Sequence, residues 1–228
     1  MDNNSLKYKR ISVFVGHYGS GKTNIALNFA LRLREREKKV SIADLDIVNP
    51  YFRTQDSREM LERADIKLIS SEFAGSNVDL PALPPDVYSL LDNKDTYGVL
   101  DVGGDDRGAL ALGRYADGIK EENNYDVFFV INKFRPLTKT PELTIEVLRE
   151  VEEASGIKIT GLINNSNLGE ITTAEDVEES AAYADEVSKL SGLPVVYTTV
   201  HESVANSVSL KNVMPIKLYV KQTWQERA

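Results

Sequence analysis

The sequence predicts a doubly wound α/β fold on a mostly parallel sheet, formed as a single domain over residues 1–228. Three observations carry this. Ile11–Val15 is an apolar run of strand length, followed by a glycine-rich turn and then by Ile25, Ala26, Phe29, Ala30 and Leu33 at helical spacing. Strand-like and helix-like segments go on alternating, with no linker, repeat or low-complexity stretch between them. Several of the strands end in Asp or Asn, on the sheet edge where open parallel sheets handle ligands.

In order along the chain, Val40–Ala43 is a second strand, and Asp44 and Asp46 follow it directly. A helix is expected around Ser57–Ala64 and a strand at Ile66–Ile69. Ser70–Pro85 holds Gly75, Pro81, Pro84 and Pro85 and reads as a loop, after which Pro85 opens a short helix through Leu91. Tyr97–Leu100 is a strand leading into Asp101-Val102-Gly103-Gly104. Asp105, Asp106 and Arg107 are either ligand-responsive residues or caps of a helix over Gly108–Glu122. Tyr125–Ile131 is a strand, and Thr140-Pro141-Glu142 starts a helix to about Ser155. Ile157–Ile163 is a strand ending at Asn164-Asn165. Thr172-Thr173-Ala174-Glu175 reads as a capping box for a helix to Leu190. Val195–Val200 is a strand, His201-Glu202-Ser203 starts a short helix, and Ile216–Val220 is a last extended piece.

The glycine turn, Gly16-His17-Tyr18-Gly19-Ser20-Gly21-Lys22-Thr23, matches the phosphate-loop pattern G-x-x-x-x-G-K-[ST]. Glycines let phosphate oxygens approach the main chain, and a helix N-terminus supplies oriented N–H groups. Lys22 is placed to reach β- and γ-phosphates and Thr23 to offer a hydroxyl to Mg²⁺, with Asn24 next in line. An apolar strand ending in Asp101 suits the Mg²⁺ site of phosphate-loop enzymes, and the N–H groups of Gly103 and Gly104 are placed to sense a γ-phosphate.

Composition narrows the field. A net charge of −8 offers no bulk attraction to nucleic acid. No apolar stretch nears the ~20 residues a membrane span requires, and the polar start lacks a signal-peptide apolar region, so a cytoplasmic location is expected. The chain has no cysteine, hence no disulfide, thiolate nucleophile or cysteine-held cluster.

Phosphate loop, Asp-x-Asp strand end and Asp-x-Gly-Gly strand end, in that order, make residues 10–215 resemble the MinD/ParA/CobQ/CobB class of phosphate-loop nucleotidases. The stretches D-L-D-I-V-N-P-Y-F-R and V-G-G-D-D are similar to a bacterial ATP-binding family within that class. The resemblance implies a parallel sheet of seven or eight strands, ATP and Mg²⁺ as ligands, and ATP-linked homodimers. It assigns Lys22 to the β/γ-phosphates and Thr23 to the metal. It makes Asp46 the residue that positions the attacking water, and sets Asp44, Asp46 and Asp101 around the metal and its waters. Asn164 or Asn165 would read the adenine edge, since an amide both donates and accepts; an Asx turn is the plainer reading of the pair. One departure stands out: where the class often carries a second lysine, this loop has His17, followed by Tyr18.

The expected function is slow Mg²⁺-dependent ATP hydrolysis driving a conformational switch read by a protein partner. The alternatives are an ATP-dependent carboxylate-activating enzyme of the dethiobiotin-synthetase or cobyrinate-amidase type, a GTPase metallochaperone, and a scaffold without turnover. The metallochaperone reading predicts N-K-x-D for guanine, and Asn132-Lys133-Phe134-Arg135 lacks its aspartate.

Overall fold

The computed structural model describes residues 8–36, 38–46, 55–70 and 86–219. The elements run β1 (Ile11–Val15), α1 (Lys22–Glu35), β2 (Val40–Leu45), α2 (Gln55–Arg63), β3 (Ile66–Ile69), α3 (Asp86–Asp92), β4 (Tyr97–Val102), α4 (Asp106–Gly113), α5 (Ala116–Glu122) and β5 (Tyr125–Ile131). There follow α6 (Pro141–Ser155), β6 (Gly161–Asn164), α7 (Ala174–Ser191), β7 (Val195–His201) and β8 (Val213–Ile216). All strands join one eight-stranded sheet in the order β3-β2-β4-β1-β5-β6-β7-β8. Every pairing is parallel.

The central strands are buried along their length and mostly apolar, because helices cover both faces, with Ser12, Ser41 and Asp44 as buried exceptions. Alternation along β1 divides the core. Ile11, Val13 and Val15 pack with Leu112, Ile145 and Leu148 on one face. Phe14 points to the other, where it meets α1 through Phe29 at a ring separation of 5.3 Å. The chain builds outward from β1 to β3 and crosses back over β1 to β5. The loops after β1, β4 and β5 therefore meet at one crevice on the carboxyl edge.

Several boundaries differ from the sequence expectation, each for a local reason. The helix expected over Gly108–Glu122 is two helices, α4 and α5, because Arg114 and Tyr115 bond to the carbonyls of Ala111 and Leu112 and tighten the chain. That turns Tyr115 inward onto Tyr88 at 5.0 Å. The strand expected from Ile157 starts only at Gly161, since the Thr160 hydroxyl accepts the Val127 N–H that a longer ladder would need. The capping box sits one residue later, on Thr173 and Asp176, because the Thr172 hydroxyl serves Leu168 and Gly169. The last strand is Val213–Ile216 rather than 216–220: Lys217 and Tyr219 give their N–H groups to Asn28 and Asn24 on α1. The helical turn after β7 is a 3₁₀ turn at Ala205–Ser207, not one beginning at His201. β2 and β4 run on past Asp44 and Asp101, so both acids lie inside strands. The expected loop falls on 71–85, outside the described residues.

One buried ion network joins the crossover elements to β1. Arg10 donates to the carbonyls of Leu90, Leu91, Asn93 and Thr96 and, at 2.6 Å, to Glu122 Oε1. It thereby caps the C-terminal carbonyls of α3. Lys94 also bonds Glu122. These partners hold the Glu122 carboxyl down at about 2, against an ordinary 4.5. A depressed folded value stabilises above the unfolded one and loses that contribution as pH falls from 4.5 toward about 2. Denaturant unfolding of Glu122→Gln is therefore expected to show a deficit at pH 7 that shrinks between pH 4.5 and 2. A deficit independent of pH would contradict the ion-pair account.

Candidate functional site

The phosphate-loop segment owes its path to three glycines. Gly16 has φ +143, and a β-carbon there would lie 2.5 Å from the Val130 carbonyl oxygen on β5. Gly21, at φ +93, is the left-handed N-cap of α1, and a β-carbon would meet Asn165 Nδ2 at 2.2 Å. The first turn of α1 carries no acidic residue, so the partial positive charge of the helix N-terminus is left for an anion. Lys22 is 7% exposed and donates to the His17 carbonyl at 3.1 Å. Burial lowers its pKa, with Asp101, Asp46 and Asp105 pulling the other way. His17 Nδ1 lies 2.9 Å from the Tyr18 carbonyl, and the Tyr18 ring is 60% exposed.

The acids converge on this lysine. Parallel register sets Asp44 of β2 beside Asp101 of β4, both buried. Asp44 Oδ1 accepts the N–H of Asp46 at 3.0 Å. Burial pushes Asp101 up to about 7, while the Thr23 hydroxyl and Lys22 draw it back. Asp101 Oδ1 has no hydrogen-bond partner among the described residues.

Gly103 and Gly104 close over the loop. The Gly104 carbonyl accepts from Tyr18 N at 3.1 Å. A β-carbon at Gly104 would sit 2.5 Å from Tyr18 N and 2.8 Å from Lys22 Nζ, and one at Gly103 would sit 3.4 Å from Asp46 Oδ1. Gly108 of α4 packs on Gly103 so closely that a β-carbon would come within 2.3 Å of its carbonyl oxygen. Asp105 caps α4 by accepting from Gly108 N at 2.9 Å, and Asp105, Asp106 and Arg107 are all exposed.

Two further loops complete the edge. Asn165 donates from Nδ2 to the Ser20 carbonyl at 2.6 Å, and its Oδ1 accepts from Thr199 Oγ1 at 2.5 Å. It lines a cleft with Asn167, Thr199 and His201. The cleft volume is about 50 Å³, less than a purine occupies, so a base would sit at its mouth or push the β6–α7 loop aside. Asn164 is fully enclosed, with its amide spent on Ser180 and Ser166, so it does not face that cleft. The Asn24 side chain is turned to the C-terminal segment, where its Oδ1 accepts from Tyr219 N at 2.8 Å. Sequence reasoning did not single out Arg135, Thr199 or His201 as site residues. Arg135 follows β5 in a segment read only for a missing guanine motif, and the other two lie on β7, far from any motif. The Asn49–Arg53 end of the D-L-D-I-V-N-P-Y-F-R stretch lies outside the described residues.

An eight-stranded parallel sheet with a phosphate loop, two strand-end aspartates and a glycine pair at one crevice defines a phosphate-loop nucleotide-binding protein. The model of the CobQ/CobB/MinD/ParA nucleotide-binding domain matches residues 11–187, and the chain belongs to that family. No curated protein matches the chain in sequence. Among solved structures, it is similar to FtsY from Mycoplasma mycoides, at 18% identity and TM-score 0.56 over 88% of this chain and 62% of that one. It is also similar to the cell division protein FtsY from Thermotoga maritima, at 20% identity and TM-score 0.57 over 88% and 66%. A third is the signal recognition particle receptor FtsY from Elizabethkingia anophelis in complex with GDP, at 16% identity and TM-score 0.51 over 87% and 60%. At such identities the likeness is one of fold, and the chain spans just under two thirds of the length of these proteins.

Among the described residues no helix is long and apolar enough to cross a membrane, and no group of three or more His, Asp or Glu side chains could alone hold a metal ion.

A methyl group at Gly104 has backbone on its far side and no room to give. Gly104→Ala is expected to cost roughly 1–3 kcal/mol of unfolding free energy without nucleotide, as denaturant unfolding measures.

Proposed function

We propose that the protein binds Mg·ATP in this crevice and hydrolyses it slowly, and that the bound nucleotide drives a conformational switch in a homodimer read by a protein partner. The observation that carries this is the closure of Gly104 against Tyr18 and Lys22. A γ-phosphate that takes the Lys22 ammonium would compete with its bond to His17 O and, beside Gly104, would part the glycine pair from the loop. Gly103 would pass that movement to α4 through Gly108, which packs on it, and Asp46 lies close by, 3.4 Å from where a Gly103 β-carbon would stand.

Asp101 supports a magnesium requirement. A buried carboxylate oxygen without a partner fits the water shell of a divalent cation, with the Thr23 hydroxyl beside it and Asp44 in register. Thr23, Asp44 and Asp101 would hold the ion, which when bound neutralises phosphate charge. Lys22 and the loop N–H groups stabilise charge on the β- and γ-phosphates. Asp46, beside Gly103, orients the attacking water.

The cleft favours adenine. Guanine recognition calls for a carboxylate facing its N1–H and amino group, and among the described residues no Asp or Glu lines the cleft. The Asn165 amide retains one donor and one acceptor position, which an adenine edge matches. Because one similar FtsY structure holds GDP, GTP is the comparison nucleotide.

Unassisted turnover is expected at ~10⁻⁴ to 10⁻² per second. Lys22→Ala is expected to abolish ATP binding, whereas Asp46→Asn retains binding and loses turnover at least about tenfold. Phosphate release and calorimetry on both variants, with gel filtration in ATP, ADP and GTP, test the scheme. Tighter GTP than ATP binding, or full turnover by Asp46→Asn, would overturn it.

A further inference from the structure

Thr199 lies on β7, a strand held between β6 and β8, with Met214 of β8 as its partner in the ladder. Its side chain is buried and reaches the end of β6. The hydroxyl stands 2.5 Å from Asn165 Oδ1 and 3.4 Å from the Asn164 carbonyl oxygen. Both neighbours can only accept, and the hydroxyl has one proton to give, so the nearer Asn165 Oδ1 takes it. From its other end the Asn165 amide donates through Nδ2 to the Ser20 carbonyl of the phosphate loop, at 2.6 Å. Gly21 makes room for this approach, since a β-carbon there would stand 2.2 Å from Nδ2.

Two bonds of opposite sense decide which way round the amide sits. Turning it over would set Oδ1 against the Ser20 carbonyl, acceptor on acceptor in buried space, where that is costly. The Thr199 hydroxyl pins the oxygen end to a strand that is paired on both sides. Without that hydroxyl the amide would hang on Ser20 alone, and one bond leaves it free to swing about its side-chain torsions. Asn165 and Thr199 both line the cleft beside the phosphate loop, and the amide makes no further side-chain hydrogen bond among the described residues.

The orientation of an amide matters because purines differ at position 6. Adenine carries an amino donor there, whereas guanine and hypoxanthine carry an oxo acceptor. An amide held one way round pairs with one of these and opposes acceptor to acceptor, or donor to donor, with the other. An amide free to turn accommodates both.

We propose that Thr199 is a positioning residue for purine selectivity: its hydroxyl holds the Asn165 amide in one orientation, so that the cleft distinguishes 6-amino from 6-oxo purine nucleotides. This deepens the nucleotide reading and rests on Asn165 meeting the base, but not on which purine is preferred.

Calorimetric affinities of ADP, IDP and GDP for wild type, Thr199→Val and Thr199→Ser test this, with melting temperatures recorded without nucleotide. IDP isolates position 6, because hypoxanthine lacks the 2-amino group of guanine. Wild type is expected to favour ADP over IDP by about tenfold or more, as one hydrogen bond made or opposed implies. Thr199→Val keeps the side-chain shape and loses the hydroxyl; it is expected to shrink that ratio at least about fivefold. Thr199→Ser keeps the hydroxyl and is expected to hold the ratio within about twofold. A merely structural role would weaken both nucleotides in proportion, so an unchanged ratio in Thr199→Val overturns the proposal, whatever happens to the melting temperature. A Thr199→Ser ratio as low as that of Thr199→Val also overturns it, since the hydroxyl would then not be what holds the amide. So does a wild type that binds ADP and IDP equally. A wild type that favours IDP and GDP overturns the adenine reading alone, and the proposal is then upheld by collapse of that opposite ratio in Thr199→Val.

Discussion

The site depends on one buried charge. Lys22 sits at the head of α1 with its ammonium under the glycine pair of β4, desolvated yet facing Asp46, Asp101 and Asp105. Desolvation disfavours the ammonium and the carboxylates oppose that effect without cancelling it. Neither side could be removed alone without leaving an uncompensated charge in the sheet edge. The parallel register that sets Asp44 beside Asp101 and Phe14 beside Asp101 is what delivers those carboxylates. The core of the sheet is, in that sense, the support of the charge cluster. Buried, mostly apolar strands fix the register, and the register fixes the acids.

The same cluster explains why the glycines are where they are. Gly16, Gly21 and Gly104 each abut backbone or amide atoms at distances that no β-carbon could share. Gly16 lets β1 turn beside β5, Gly21 lets Asn165 reach the Ser20 carbonyl, and Gly104 lets the β4 edge rest on Tyr18. Four loops, after β1, β4, β5 and β6, thereby become one hydrogen-bonded unit. A ligand that enters between two of them is felt by the rest.

Much of this was legible in the sequence because it rests on local rules. The phosphate loop, the alternation of strands and helices, and the aspartates at strand ends follow from spacing and residue type. The fold class and family are those the motifs pointed to, and the sheet proved wholly parallel with eight strands. What the sequence hid depends on contacts distant along the chain. Thr160 delays the start of β6 by bonding Val127, Tyr115 turns onto Tyr88 where the expected helix breaks, and Asn24 and Asn28 pull the chain after β8 off the sheet. In the site, nothing in the pair Asn164-Asn165 tells which amide Ser180 consumes, and nothing in Asn132-Lys133-Phe134-Arg135 announces that Arg135 spans to Gly19.

The central claim is that these loops form a single nucleotide-responsive unit around Lys22. Hydrogen–deuterium exchange with and without Mg²⁺ and ATP tests it most directly. The account predicts that nucleotide changes exchange together in four segments: residues 16–23, 101–105, 132–135 and 164–167. A change confined to residues 16–23, with the other three segments unaltered, would contradict it.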